Sequence, residues 1–196
     1  IVKSVNLFTH FIDARFETGR YYPMFVNTVN DLSTFGPEYP IYISNLCLEI
    51  TLPTKPAESE NDPNGLISLC TLMSVNMSKF LTIEDMRTKL PKTIEIAIRT
   101  LDKLLSYQDY MSPHAKRATD LFRTLGIGVV NLADFLAQNR CRYGTQKALD
   151  LVNEFWAAMY YHGKKTSIEL AKEFGPCEAS DKLQPFNHLK HDALFN

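Results

Sequence analysis

Within five residues, Asn45, Cys47 and Glu49 set an amide, a thiol and a carboxylate at alternate positions. In an extended segment alternate side chains project to the same side, so the three predict one polar face with Leu46 and Leu48 turned the other way. A thiol between an amide and a carboxylate can exchange a hydrogen atom at sulfur, take part in hydrogen bonds with the amide and work beside a proton acceptor. With a reference pKa of about 8.5, the sulfur stays mostly S–H at pH 7, the form a hydrogen-atom donor needs. The same alternation also fits a half-exposed strand with a buried leucine face, because lone cysteines are often small core residues. A second thiol, Cys70, follows 23 residues downstream.

Elements must hold these groups in place. Val5, Phe8, Ile12 and Phe16 recur at helical spacing over residues 2–17, with Gly19 as a stop signal. Residues 21–26, rich in aromatic and β-branched side chains, predict a strand, and residues 27–40, with Gly36, Pro37 and Pro40, a loop. Residues 41–52 read as extended, residues 53–65 as a Pro-rich surface loop, and residues 66–75 as a buried strand with Cys70 in its middle. Beyond Thr82 the stripe Ile94, Ile98, Leu101 and Leu105 predicts a helix, with Pro91 in its first turn. Ser112-Pro113 predicts an N-cap followed by proline at the first helical position. Residues 125–130 read as a strand, 130–138 as a helix, and 145–174 as a long helix closed by Gly175 and Pro176. Leu149, Val152, Phe155, Trp156 and Met159 are expected in its packed face. Helices interspersed with at least three strands give an α/β layer arrangement.

Composition narrows the function classes. A net charge of -1 without a dense Lys/Arg block argues against nucleic-acid binding. No apolar run reaches the roughly 18 residues of a membrane span, and the start has no signal-peptide pattern, so a cytoplasmic protein is expected. The chain starts at Ile1, inside an apparent helix, and reads as a piece of something longer: a single incomplete domain over residues 1–196. Cys47, Cys70, Cys141 and Cys177 form no CxxC pair, and the five histidines form no HExxH motif, so no metal site is expected. His188 and His191 could meet on a helix but fit solvated residues better. Gly126-Ile127-Gly128 lacks the last glycine of a dinucleotide fingerprint, and close backbone packing explains it better.

Ser44-Asn45-Leu46-Cys47-Leu48-Glu49-Ile50 followed by Leu69-Cys70-Thr71-Leu72 resembles the large subunit of class I ribonucleotide reductases at both places and at the right separation. The resemblance continues through Thr18-Gly19-Arg20, Leu52-Pro53-Thr54-Lys55-Pro56, Tyr107-Gln108-Asp109-Tyr110, Ala115-Lys116-Arg117 and Thr124-Leu125-Gly126-Ile127-Gly128-Val129, fading after about Cys177. It implies part of a ten-stranded α/β barrel with a finger loop at about residues 40–65. It further implies that Cys47 becomes a transient thiyl radical that abstracts the 3′ hydrogen of a ribonucleotide. Glu49 would take the 3′ hydroxyl proton, and Asn45 would hydrogen-bond the sugar. Cys70 would be one of two cysteines that supply electrons and end as a disulfide when the 2′ hydroxyl leaves as water.

The resemblance places the second of those cysteines upstream, where this sequence has none; Cys141 and Cys177 match it in neither context nor position and read as structural. The tyrosine pairs Tyr21-Tyr22 and Tyr160-Tyr161 do not match the family's radical relay and read as core or interface residues. The implied partners are a ribonucleoside diphosphate, the remaining parts of the large subunit, a radical-generating small subunit and a thioredoxin- or glutaredoxin-type reductant. The metal-radical cofactor would sit on the small subunit, with none in this chain. Two other readings stand beside this one: a non-catalytic assembly module that keeps the fold, and a cobalamin-dependent or anaerobic relative.

Overall fold

The computed structural model describes residues 2–184; His188 and His191 lie outside them. Helix α1 (Ser4–Thr18) ends where Gly19 turns left-handed, φ 65°, and donates its N–H to the Arg15 carbonyl, so the stop signal works as expected. Residues 21–25 form no strand, and the segment expected as a loop contains helix α2 (Val26–Leu32). Among the described residues the segment has no neighbouring strand to pair with, and Tyr21, Tyr22 and Phe25 stay exposed.

Two strands, β1 (Leu72–Asn76) and β2 (Gly126–Val130), pair in parallel with Leu72 opposite Gly126 and Asn76 opposite Val130. A parallel pair needs a long crossover, and this one consists of a 3₁₀ turn (Met77–Lys79), α3 (Ile83–Thr88), α4 (Leu90–Tyr107) and α5 (Pro113–Phe122). Gly126 leaves room for the Leu72 side chain across the sheet, whose tip would have to shift to admit a Cβ 2.6 Å away. The run 66–75 is a strand only from Leu72 onward, so Cys70 lies just before β1 rather than inside a strand. Residues 41–52 likewise form no strand.

After β2 come α6 (Leu132–Gln138) and α7 (Gln146–Phe174). The main core lies where α7 packs on α4 and α6. Leu90, Ile94, Ile98, Phe135, Phe155 and Met159 are all buried there, with Phe155 making edge contacts to Phe80 and Phe135 at centroid separations of 6.0 Å. Leu149 and Trp156, expected in that core, are exposed instead: they sit one residue around the helix from Ala148 and Phe155, on its flank. α3 starts with a complete capping box between Thr82 and Asp85. Ser112 has the extended N-cap backbone expected before Pro113, but its side chain makes no capping bond. A second cluster joins Leu121 and Phe122 of α5 to Phe35, Tyr39 and Ala179. α1 buries none of its residues, and Phe16 is 91% exposed.

Candidate active site

The polar triad sits on a turn, not on an extended strand. Leu48 N–H donates to the Asn45 carbonyl at 3.2 Å, and Asn45 N–H donates to the Ile50 carbonyl at 3.3 Å. The Asn45 side-chain Oδ1 accepts from Ile50 N–H at 3.0 Å, and Leu48 adopts φ 64° to close the loop. A non-glycine residue rarely takes that conformation, so the hydrogen bonds around it must offset its cost. The expected alternation is therefore not present: Leu46 is 94% exposed instead of buried, and the turn, not a pleat, orients Cys47 and Glu49. A sealed leucine core around Cys47 is equally absent, because that thiol is exposed at the tip.

Helix α2 anchors the base of this loop. The Asn30 side chain donates from Nδ2 to the Ile41 carbonyl at 2.7 Å and accepts from Ile41 N–H through Oδ1 at 2.8 Å. The pair mimics a strand partner for a buried Ile41. Sequence patterning gave no warning of Asn30, since a short polar helix has no periodicity to detect.

Below the turn the outgoing and returning limbs run side by side. Lys55 and Leu66 form an antiparallel bridge with both N–H···O distances at 2.9 Å, and the Ser68 hydroxyl donates to the Pro53 carbonyl. A cavity of about 220 Å³ opens between the limbs, lined by Glu49 and Leu52 on one side, Cys70 and Thr71 on the other, and Thr124 and Gly126 at the start of β2. Gly126 N–H donates to the Thr71 carbonyl at 2.9 Å, which joins that third wall to the returning limb. The wall is fixed from behind by Arg123, which is left-handed at φ 46° and whose guanidinium donates to Asp102 Oδ1 at 2.9 and 2.8 Å.

Partial desolvation raises the Cys70 thiol above its ordinary pKa, and the Glu49 carboxylate raises it further. Glu49 and Cys70, both singled out in the sequence, thus feel each other electrostatically in one cavity. Cys47 projects from the tip and is not among the cavity-lining side chains. The Asn45 NH₂ group makes no hydrogen bond among the described residues, while its Oδ1 is committed to the turn. Cys141 is buried in the main core and Cys177 is half-buried beside α5, so neither lies in the Glu49–Cys70 cavity. No cluster of three or more His, Cys, Asp or Glu able to hold a metal occurs among the described residues, and no described helix is long and apolar enough to cross a membrane.

A thiol and a carboxylate lining one recess, with a second thiol exposed on the turn that carries Glu49, are groups able to do redox and acid–base chemistry. The family described as ribonucleotide reductase, barrel domain, matches residues 1–193. The chain belongs to that family. Among curated relatives of this ribonucleotide reductase barrel segment, the ribonucleoside-diphosphate reductase subunit alpha of Haemophilus influenzae is 44% identical over 178 residues, covering 90% of this chain and 23% of that protein. The ribonucleoside-diphosphate reductase 1 subunit alpha of Escherichia coli is 45% identical over 177 residues, with 90% and 23% covered. The subunit alpha of Enterobacteria phage T4 is 39% identical over 178 residues, with 90% and 22% covered. The chain therefore spans under a quarter of the length of these relatives. Its helix-rich fold with one parallel strand pair is a portion of the reductase α/β barrel.

Proposed function

We propose that this chain supplies the finger loop and flanking strands of a ribonucleoside-diphosphate reductase large subunit, which reduces ribonucleotides to 2′-deoxyribonucleotides. The observation that carries the reading is the Glu49–Cys70 cavity under the hydrogen-bonded turn that presents Cys47.

Each residue then has a distinct task. Cys47, as a thiyl, takes the 3′ hydrogen of the ribose and leaves a carbon radical. Glu49 accepts the 3′ hydroxyl proton, which eases departure of the 2′ hydroxyl as water. The Asn45 NH₂ group donates to the sugar, while its Oδ1 holds the turn. Cys70 and a second thiol from another part of the large subunit give up two electrons and two protons and become a disulfide, and the 3′ hydrogen returns from Cys47. The raised pKa of Cys70 keeps it as S–H until it is oxidised. A radical cofactor on a separate metal-bearing small subunit would generate the thiyl, and a thioredoxin- or glutaredoxin-type protein would reset the disulfide.

At about 220 Å³ the cavity is smaller than the roughly 300–1,000 Å³ of whole-ligand sites. In this reading the remaining walls of the nucleotide site come from other large-subunit segments. The test is reconstitution: the chain is assayed for deoxynucleotide formation alone, and with complementary large-subunit segments plus the small subunit. Product only in the reconstituted mixture is the expected result. Turnover by the chain alone contradicts the need for further segments, and no product in any mixture favours an assembly module without chemistry. In the reconstituted enzyme Asn45→Asp should keep the turn through its carboxylate oxygen yet lose activity about ten-fold or more, because the donor to the sugar is gone.

A further inference from the structure

We propose that His114 is a positioning residue that sets Cys70 against Glu49 by pinning the returning limb of the loop to α5. The proposal rests on the reading of Cys70 as a reductant thiol. His114 is the second residue of α5 and is only 7% exposed. Its Nε2 lies 2.9 Å from the Asp62 backbone carbonyl, and because a carbonyl can only accept, Nε2 carries the proton and donates. Its own backbone carbonyl accepts from Ile67 N–H at 3.3 Å. One residue thus grips the loop at two points, before and after the Lys55–Leu66 bridge turns the chain back toward Cys70.

The loop is shaped to receive the ring. Asp62 folds it locally, accepting backbone N–H groups from Asn64 at 2.9 Å and Glu58 at 3.1 Å, contacts that also lower its carboxyl pKa. Gly65 is buried against the imidazole, and a Cβ there would lie 2.7 Å from the ring and 2.6 Å from Ala57. At the far end of α5, about 15 Å along a ten-residue helix, Arg123 leads into Thr124 and Gly126, the third wall of the cavity. α5 is therefore a strut with the returning limb pinned at one end and the opposite cavity wall at the other. Without the imidazole pin, the limb that carries Cys70 keeps the Lys55–Leu66 bridge, the Ser68 bond and the main-chain bonds of Ile67 and Thr71, but the loop before it loses its side-chain tie at Asp62.

Hydrogen exchange on the full chain tests this without requiring turnover. His114→Leu keeps bulk but removes the donor, so exchange at the amides of Lys55, Leu66 and Ile67 should rise about five-fold, with α4 and α7 unchanged. Iodoacetamide labelling of Cys70 should speed up relative to Cys47 as Cys70 drifts from Glu49. His114→Gln, whose amide nitrogen can replace Nε2, should restore both. If His114→Leu does not fold, Gly65→Ala, which displaces the ring without changing any residue of α5, should give the same local acceleration. Unchanged exchange at these amides in the folded variants overturns the proposal, as does His114→Gln exchanging as fast as His114→Leu. Cys70→Ser in the reconstituted enzyme tests the reductant reading separately, so failure of that reading and failure of the pin are distinguishable.

Discussion

Glu49 and Cys70 line one recess, and their coupling has a measurable sign. A carboxylate disfavours a neighbouring thiolate, so Glu49 contributes to the raised Cys70 pKa beyond the larger effect of desolvation. Removing that charge must lower the pKa. Labelling of Cys70 by iodoacetamide, followed against pH, should therefore show its midpoint shifted downward in Glu49→Gln, with faster reaction at pH 8 than in the wild type. An unchanged profile would mean that the two groups do not share a cavity in solution. The types and order of these residues are visible in the sequence, because amide, thiol and carboxylate at alternate positions already suggest joint chemistry. Their geometry is not. It depends on Leu48 entering the left-handed region and on the Asn45 side-chain Oδ1 accepting from Ile50 N–H, and neither leaves a pattern in residue types.

Among the elements, strong periodicity translated directly into structure. The stripe Ile94, Ile98, Leu101 and Leu105 is buried along α4, and Thr145 and Gly175 bound α7 as expected. Short extended stretches misled: residues 21–26 and 41–52 carry strand-forming side chains but meet no partner strand, and β propensity measures fit to a neighbour more than an intrinsic preference. Helix α2 escaped notice because seven mostly polar residues are too few to set up a helical repeat of apolar side chains, although Asn30 within it holds the base of the loop. The core itself is dominated by Phe155, which is fully buried and touches both Phe80 and Phe135. Phe155→Ala should destabilise the fold by about 3–5 kcal/mol in urea unfolding, whereas Thr82→Ala, which breaks the capping box of α3, should cost about 1 kcal/mol.

The whole molecule is one segment of a barrel, and its surface shows it. α1 carries Phe8, Ile12 and Phe16 with none of them buried, so replacing all three by Ser should change unfolding stability by under about 0.5 kcal/mol each while reducing aggregation in light scattering. A large loss of stability would mean that α1 packs on the rest of the chain. Cys47 is the residue on which the proposed chemistry turns, and reconstituted deoxynucleotide synthesis tests its role most directly. With complementary large-subunit segments and the small subunit present, Cys47→Ser should abolish product while Cys141→Ser, altering a thiol outside the cavity, leaves turnover in place. Undiminished synthesis by Cys47→Ser would contradict the account.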